Sequence, residues 1–190
     1  MRIACSVLSG DLERQQFDVA VLPEGTSWEN IRKASALQPN AVVVGAVEES
    51  SYCRAVVFHR GENQIDYLKA LPDGSRFGSG NRDQSPIFHL GCISIGVLVC
   101  RDIQDEKLSA HVMGKLKEST ADVKLLCVPA DMGSEWFSNQ PIEPKFEGVY
   151  VALSNNVNTH QVRCKSFVAA PSRNKIAEQV EHEPIFATAP

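Results

Sequence analysis

Three residues whose side chains could together carry out acyl transfer stand at the ends of apolar segments. Glu24 follows "FDVAVLP" and precedes a glycine, Lys69 lies in "DYLKALPDG", and Cys100 ends the long apolar run that leads into "CRD". A thiolate can attack a carbonyl carbon, a carboxylate can move protons, and an ammonium group can stabilise an oxyanion. Because sites in α/β proteins form beyond the carboxyl ends of strands, the shared position of the three residues predicts one site.

Each of the three residues also has an ordinary structural interpretation. Glu24 would be a solvated turn residue, Lys69 would be a surface lysine with a packed stem, and Cys100 would be a core thiol. Their joint occurrence at strand ends favours the chemical interpretation. A Cys–His pair stays open as an alternative, although neither His89 nor His111 stands at an obvious strand end.

The bulk properties of the chain exclude several classes of function. A length of 190 residues predicts one domain spanning 1–190. The net charge of −4 gives no general attraction to nucleic acid. No apolar run approaches the roughly 20 residues that span a bilayer, so we expect no membrane partner. The six cysteines form no C-x-x-C pair and no Cys or His pair has ligand spacing. We therefore expect no metal, no cofactor, free thiols and a cytoplasmic location.

Short, β-branched apolar segments predict most of the strands. They are 2–8, 17–23, 41–47, 54–60, 65–71, 86–100, 123–129, 149–155 and 166–170. Gly91 is expected to divide the longest of these segments into a hairpin. Continuous runs such as "VVVG" and "LLCV" indicate strands that are buried on both faces.

Two segments have helical patterns. A capping box formed by Thr26 and Glu29 predicts the start of the first helix. Its apolar side would carry, at threefold spacing, Trp28, Ile31, Ala34 and Leu37. The second helix should begin near Asp105, with a buried stripe that consists of Leu108, Val112 and Leu116. Together with the strands, these helices predict an α/β fold with a mixed sheet covered by helices.

The catalytic segments resemble those of the nitrilase, or carbon–nitrogen hydrolase, superfamily. "DVAVLPEG", "YLKALP" and "ISIGVLVCRD" occur in the order of that family's three catalytic segments. The segments "ADVKLLCVPADM", "VYVALSNNVN", "SFVAAPSRNKIAEQ" and "EPIFATAP" are similar to its later strands, so the resemblance covers nearly the whole chain. It implies a nitrilase-like α-β-β-α sandwich of mixed sheets covered by helices, usually assembled as a homodimer.

The resemblance also implies a mechanism for hydrolysing a non-peptide carbon–nitrogen bond. Cys100 would attack a small-molecule amide, carbamoyl or nitrile carbon and form a thioester. Glu24 would act as the general base, and Lys69 with the backbone N–H of Arg101 would hold the oxyanion. We also expect Lys69 to help the thiol of Cys100 to ionise, and Asp102 to make a structural hydrogen bond.

The substrate-binding residues and the catalytic competence of the chain are less closely defined. Many members of the family place a second glutamate shortly after the lysine, and here Asp73 is the nearest acid. Arg76 and Trp136 are further candidates for contact with substrate. The absent glutamate and the short segment between the first two strands leave an alternative open, in which the chain is a noncatalytic binding or assembly module with the same fold.

Overall fold

Two six-stranded sheets face each other in the computed structural model, which describes residues 1–5, 12, 15–72, 78–132, 142–156, 165–179 and 183–189. The first sheet has the order β12-β1-β2-β3-β4-β5 and the second has the order β11-β10-β9-β8-β7-β6. The strands of the first sheet are β1 (Arg2–Cys5), β2 (Val19–Glu24), β3 (Val42–Glu49), β4 (Tyr52–His59), β5 (Glu62–Leu68) and β12 (Ile185–Thr188). Those of the second are β6 (Ile87–Leu90), β7 (Ile93–Val97), β8 (Val123–Ala130), β9 (Tyr150–Asn155), β10 (Phe167–Ala169) and β11 (Lys175–Glu178).

Both sheets are mixed in the same way. Strands β1, β2 and β3 run parallel, as do β7, β8 and β9, and antiparallel strands flank each set. Since β5 is antiparallel to β4 and β4 is antiparallel to β3, β5 runs in the direction of β2. The carboxyl ends of β2 and β5 therefore lie at the same edge of the first sheet.

Within the part of the chain that the structure describes, one helix covers each sheet, which confirms the predicted α-β-β-α sandwich. Helix α1 (Trp28–Leu37) packs on β3 and β4, and helix α2 (Glu106–Glu118) packs on β7 and β8. Within the described residues, no helix is both long enough and apolar enough to cross a membrane.

Each helix approaches its sheet closely at a glycine. A Cβ atom on Gly45 of β3 would lie 2.9 Å from Cδ1 of Ile31 in α1. One on Gly96 of β7 would lie 2.9 Å from Cδ1 of Leu116 in α2. Glycine at these two strand positions lets the buried side of each helix rest on the sheet itself.

The start of α1 differs from the prediction by one residue. Ser27, and not Thr26, is the N-cap, and its side chain accepts a hydrogen bond from the backbone N–H of Asn30. The Thr26 hydroxyl donates to the carbonyl of Pro23 at 2.7 Å, so it stabilises the preceding turn. The buried side of α1 also differs from the predicted apolar side. Ser35 is buried, whereas Leu37, which was predicted on the apolar side, is 36% exposed.

The second helix and the long hairpin confirm their predictions. Asp105 caps α2 by accepting a hydrogen bond from the backbone N–H of Leu108 at 2.9 Å. The stripe of Leu108, Val112 and Leu116 is fully buried. Gly91 has a φ of +56° in the turn between β6 and β7, a backbone conformation that glycine adopts readily.

We expect the close approach at Gly96 to make the substitution Gly96→Ala destabilising. The added methyl group would press on the ends of Leu116 and Val112, and overpacking of this kind costs about 1–3 kcal/mol. Gly114→Ala is the matched control, because no atom lies within 4 Å of its added methyl group and alanine favours a helix interior. Urea unfolding should show Gly96→Ala less stable and Gly114→Ala at least as stable as the parent. Equal stability of the two variants would contradict the packing described here.

Candidate active site

A buried ion pair joins Glu24, the last residue of β2, to Lys69, which directly follows β5. Lys69 Nζ donates to Glu24 Oε1 at 2.7 Å. The side chain of Glu24 is 1% exposed and that of Lys69 is 3% exposed. The backbone N–H of Lys69 donates to the carbonyl of Cys53 at 2.9 Å and fixes the lysine to β4. The second carboxylate oxygen, Glu24 Oε2, is buried and accepts no hydrogen bond from the described residues. The pair therefore leaves one carboxylate oxygen available to a substrate or a thiol.

Cys100 lies on a sharp turn at the carboxyl end of β7. It begins a short 3-10 helix, Cys100–Gln104, and its φ is +49°. The left-handed backbone region is uncommon for residues other than glycine and is enriched at functional sites. The thiol is buried and donates to the carbonyl oxygen of Asp131, beyond the end of β8, at an Sγ–O distance of 3.7 Å.

The carboxylate of Asp102 ties the turn of Cys100 to the segment that carries Lys69. Oδ2 accepts from the Tyr67 hydroxyl at 2.5 Å and from the Ala70 backbone N–H at 2.9 Å. Oδ1 accepts from the backbone N–H of Leu71 at 2.8 Å. Asp102 is fully buried, which confirms its predicted structural role. Three donors that flank Lys69 therefore hold the residue two positions after the candidate nucleophile.

Lys69 acts on the thiol of Cys100 in the expected direction, but burial and Glu24 oppose it. Burial raises the pKa of Cys100 most, and the negative charge of Glu24 raises it further. The positive charge of Lys69 lowers the pKa in the predicted direction, but the other two effects outweigh it. The resting thiol therefore keeps its proton at neutral pH, close to a carboxylate that has a free oxygen.

A second thiol, that of Cys53, also lies close to the Glu24 carboxylate. Burial raises the pKa of Cys53, and the charge of Glu24 raises it further while that of Lys69 lowers it. Sequence reasoning missed this residue because "SYCRAVVF" reads only as a core strand. The only feature that could have identified Cys53 was its place on the strand next to the one that leads to Lys69.

Asn155, at the end of β9, is another residue that sequence reasoning missed. Its Oδ1 accepts from the backbone N–H of Met132 at 2.7 Å, and its Nδ2 donates to the Met132 carbonyl at 3.1 Å. These two bonds hold the chain just after Asp131, whose carbonyl contacts the Cys100 thiol. In the sequence, the only indication of this role was the polar residue Asn155 at the end of the apolar segment "VYVALSN".

The remaining predicted residues divide into three groups. The backbone N–H of Arg101 donates to no acceptor among the described residues, as an oxyanion donor requires. The predicted substrate contacts Asp73, Arg76 and Trp136 lie outside the described residues. The rings of His89 and His111 contact the hydroxyl groups of serines instead of Cys100, which gives no support to a Cys–His pair.

The fold matches that of solved amidases. An amidase from Nesterenkonia sp. superposes with a TM-score of 0.71 and 17% identity, covering 98% of this chain and 88% of its own. A second structure, of the amidase of Nesterenkonia sp. AN1, superposes with a TM-score of 0.69 and 17% identity, and the match covers 98% of this chain and 91% of that one. A mutant form of the AN1 enzyme is described as an amidase from the nitrilase superfamily. It superposes with a TM-score of 0.69 and 17% identity, and the match covers 98% of this chain and 88% of that one. The chain therefore has the nitrilase fold, as its sequence predicts.

Other structures of the AN1 amidase record chemistry at its cysteine. Glutamate mutants of that enzyme carry acrylamide, or the acetamide moiety of fluoroacetamide, covalently added to the active-site cysteine. A cysteine-to-alanine mutant is in complex with butyramide. No protein-family model and no curated protein matches the sequence of the present chain.

We expect Asp102→Asn to destabilise the protein more than Tyr67→Phe. An amide at position 102 would turn an NH2 group toward at least one buried donor, and such a mismatch costs about 1–3 kcal/mol. Tyr67→Phe removes a single donor and leaves both backbone bonds to Asp102 intact. Urea unfolding of the two variants measures the difference. If Tyr67→Phe is the more damaging variant, Asp102 does not organise this turn.

The raised pKa of Cys100 predicts an unusual pH profile for its alkylation. An ordinary thiol has a pKa of about 8.5, so its labelling by iodoacetamide levels off above that pH. Cys92 is exposed and serves as the internal reference. Labelling of Cys100 should still increase between pH 9 and 10, because its thiolate forms only at higher pH. Peptide mass mapping after brief labelling separates the two sites, and labelling of Cys100 that levels off below pH 9 would contradict the raised pKa.

The same measurement on Glu24→Gln separates two roles of the carboxylate. Removing the charge of Glu24 removes one cause of the raised pKa. Alkylation of Cys100 at pH 8 should therefore become faster in this variant, even though the general base is gone. Slower alkylation would mean that Glu24 promotes ionisation of the resting thiol instead of opposing it.

Proposed function

We propose that the chain hydrolyses the carbon–nitrogen bond of a small amide through a thioester on Cys100. The observation that carries this proposal is the buried Glu24–Lys69 pair at 2.7 Å, with an unoccupied carboxylate oxygen, beside a protonated thiol. A carboxylate, an ammonium group and a thiol in one buried place supply a base, a cation and a nucleophile. The nitrilase fold shared with amidases supports the same reaction class.

The first half of the reaction forms the acyl-enzyme. The Sγ–H proton of Cys100 moves to Glu24 Oε2 as sulfur forms a bond with the amide carbon. The carbonyl π electrons become an oxyanion that Lys69 Nζ and the backbone N–H of Arg101 stabilise. Collapse of this intermediate breaks the carbon–nitrogen bond, and the proton on Glu24 passes to the leaving nitrogen. Ammonia departs and a thioester remains.

The second half regenerates the thiol. Glu24, again a carboxylate, takes a proton from water as the water oxygen attacks the thioester carbon. The new oxyanion occupies the same position beside Lys69. Its collapse breaks the carbon–sulfur bond, and the proton on Glu24 returns to sulfur. The products are a carboxylic acid and the free thiol of Cys100.

The raised pKa of Cys100 suits a mechanism in which proton transfer accompanies attack. A thiolate formed in advance would place a second negative charge next to Glu24 in a buried site, which is costly. With a neutral thiol, the Glu24 carboxylate is paired with Lys69 and faces no second negative charge on sulfur. Substrate then triggers the transfer by presenting an electrophilic carbon to sulfur.

The burial of the three side chains favours small substrates. Glu24, Lys69 and Cys100 are each at most 3% exposed, so a long acyl group has little room beside them. We propose short aliphatic amides as the first substrates to test. The AN1 amidase, which has the same fold, is described with butyramide and fluoroacetamide.

A noncatalytic binding or assembly module is the second candidate. It is favoured by the same burial, and by the hydrogen bond that already occupies the Cys100 thiol at the Asp131 carbonyl. Under this alternative the buried pair and thiol would persist as structural groups. Direct measurement of turnover separates the two candidates.

The proposal also includes a cellular location and an assembly state. The five described cysteines are free thiols, as a reducing compartment requires. We propose a cytoplasmic location and, from the family resemblance, a homodimer.

We expect the purified protein to release ammonia from acetamide, propionamide and butyramide. Cys100→Ala should lower kcat by at least about 10³-fold, the scale on which loss of a nucleophile acts. Glu24→Gln and Lys69→Met should lower it comparably. Cys92→Ala is the matched control, because it removes an exposed thiol from outside the site and should leave the rate unchanged. A coupled ammonia assay measures all five proteins.

Two results would decide against the enzyme. Ammonia release that survives Cys100→Ala would remove this residue from the chemistry. Absence of release from every amide by a folded parent protein would favour the noncatalytic module.

A further inference from the structure

A cavity of about 450 Å³ lies between the C-terminal half of α1 and the hairpin that joins β4 to β5. It lies on the outer side of the first sheet. Phe58, which forms part of its wall, belongs to the apolar cluster under α1, whereas Cys100 belongs to the other cluster. The cavity is therefore separate from the candidate active site. Its lining includes Arg32, Ser35, Ala36, Pro39, Phe58 and Arg60.

Ser35 belongs to the lining of this cavity, and its hydroxyl is a buried polar group without a hydrogen-bond partner among the described residues. Ser35 is 4% exposed, and its Oγ makes no hydrogen bond within the described part of the chain. Only one other buried side-chain oxygen among the described residues shares this property, and it is Oε2 of Glu24 in the candidate active site. A buried hydroxyl without a partner costs free energy. An acceptor atom brought by a ligand would remove that cost.

Two arginines stand exposed at the rim of the cavity without an acidic partner. Arg32 and Arg60 form no ion pair within the described residues, and the guanidinium of Arg32 lies 6.0 Å from the ring centre of Trp28. By contrast, Arg54 and Arg82 are paired with Asp66 and Asp105. In a chain with a net charge of −4, the lining of this cavity thus includes two guanidinium groups that form no ion pair with the described residues. Planar guanidinium groups match the geometry of carboxylate and phosphate.

The backbone at Arg60 gives a second reason to connect this arginine with function. Arg60 and Gly61 form the two-residue turn of the hairpin, with φ values of +53° and +80°. Such turns favour asparagine, aspartate or glycine at their first central position. Residues other than glycine are uncommon in the left-handed region, and such positions are enriched at functional sites.

We propose that this cavity binds an organic anion that has a carboxylate or phosphate head and a compact apolar body. The head accepts hydrogen bonds from the guanidinium groups of Arg32 and Arg60 and from the hydroxyl of Ser35. The body packs against Phe58 and the neighbouring aliphatic surface of Ala36 and Pro39. This binding site is independent of amide hydrolysis at Cys100.

Isothermal titration calorimetry of the full chain tests the proposal with three probes of similar shape. Cyclohexanecarboxylate and cyclohexyl phosphate carry the two kinds of head, and cyclohexylmethanol is the uncharged control. We expect at least one anion to bind with a Kd of about 1 mM or below, and the alcohol to bind at least about tenfold more weakly. The tighter of the two anions identifies the preferred head group.

Charge variants locate the site. Arg32→Gln and Arg60→Gln should each weaken anion binding about tenfold, as loss of a charge-assisted hydrogen bond does. Lys33→Gln is the matched control, because it removes one positive charge from the same exposed helix without altering the lining of the cavity. Its effect should be at most about twofold, since exposed charges at a distance are screened.

Ser35→Ala gives a signature that a structural role alone would not produce. Removing an unsatisfied buried hydroxyl should raise the melting temperature of the ligand-free protein. The same substitution should weaken anion binding, because the ligand loses a hydrogen-bond donor. Quenching of Trp28 fluorescence in a Trp136→Phe background reports binding beside Arg32.

Three outcomes would overturn the proposal. One is that neither anion binds the parent protein more tightly than the alcohol. Another is that Arg32→Gln and Arg60→Gln leave the affinity unchanged. The third is that Lys33→Gln weakens binding as much as they do, which would indicate general attraction to a charged surface.

Discussion

The buried ion pair between Glu24 and Lys69 is the interaction on which the rest of the site depends. Two charges persist away from water because each is the partner of the other, and removing one partner from such a pair typically costs about 3–5 kcal/mol. The pair also sets positions. Lys69 is fixed to β4 through the carbonyl of Cys53, and the donors around it hold Asp102. Through Asp102, the turn that carries Cys100 is aligned with the pair.

The charges of the pair also influence the pKa of its two neighbouring thiols. Glu24 opposes ionisation of both nearby thiols while Lys69 favours it, and burial decides in favour of the neutral form. The Glu24–Lys69 pair therefore lies beside thiols whose neutral form is favoured. In the proposed reaction, negative charge on sulfur or oxygen develops only when a reacting carbon arrives, and Lys69 would then stabilise that anion.

Much of this architecture could be predicted from the sequence, because apolar runs and strand-end residues are local signals. The three candidate catalytic residues, the cap at Asp105 and the hairpin at Gly91 all follow from neighbouring residues. Strand β11 has no such signal, since its residues alternate between partly buried and exposed without an apolar run. The choice of Ser27 over Thr26 as the cap depends on a bond to the Pro23 carbonyl, and the roles of Cys53 and Asn155 depend on contacts between distant segments. Such contacts arise only after the sheets have formed.

The division of the site between the two sheets has a consequence for how the proposed active site is assembled. Glu24 and Lys69 belong to the first sheet, whereas Cys100 and the carbonyl of Asp131 belong to the second. Neither sheet alone brings sulfur and base together, and the ion pair itself loses its water only when the sheets dock. The proposed site is thus complete only when the two sheets are packed together. A partly folded chain would expose its cysteines to oxidation and alkylation before that site exists.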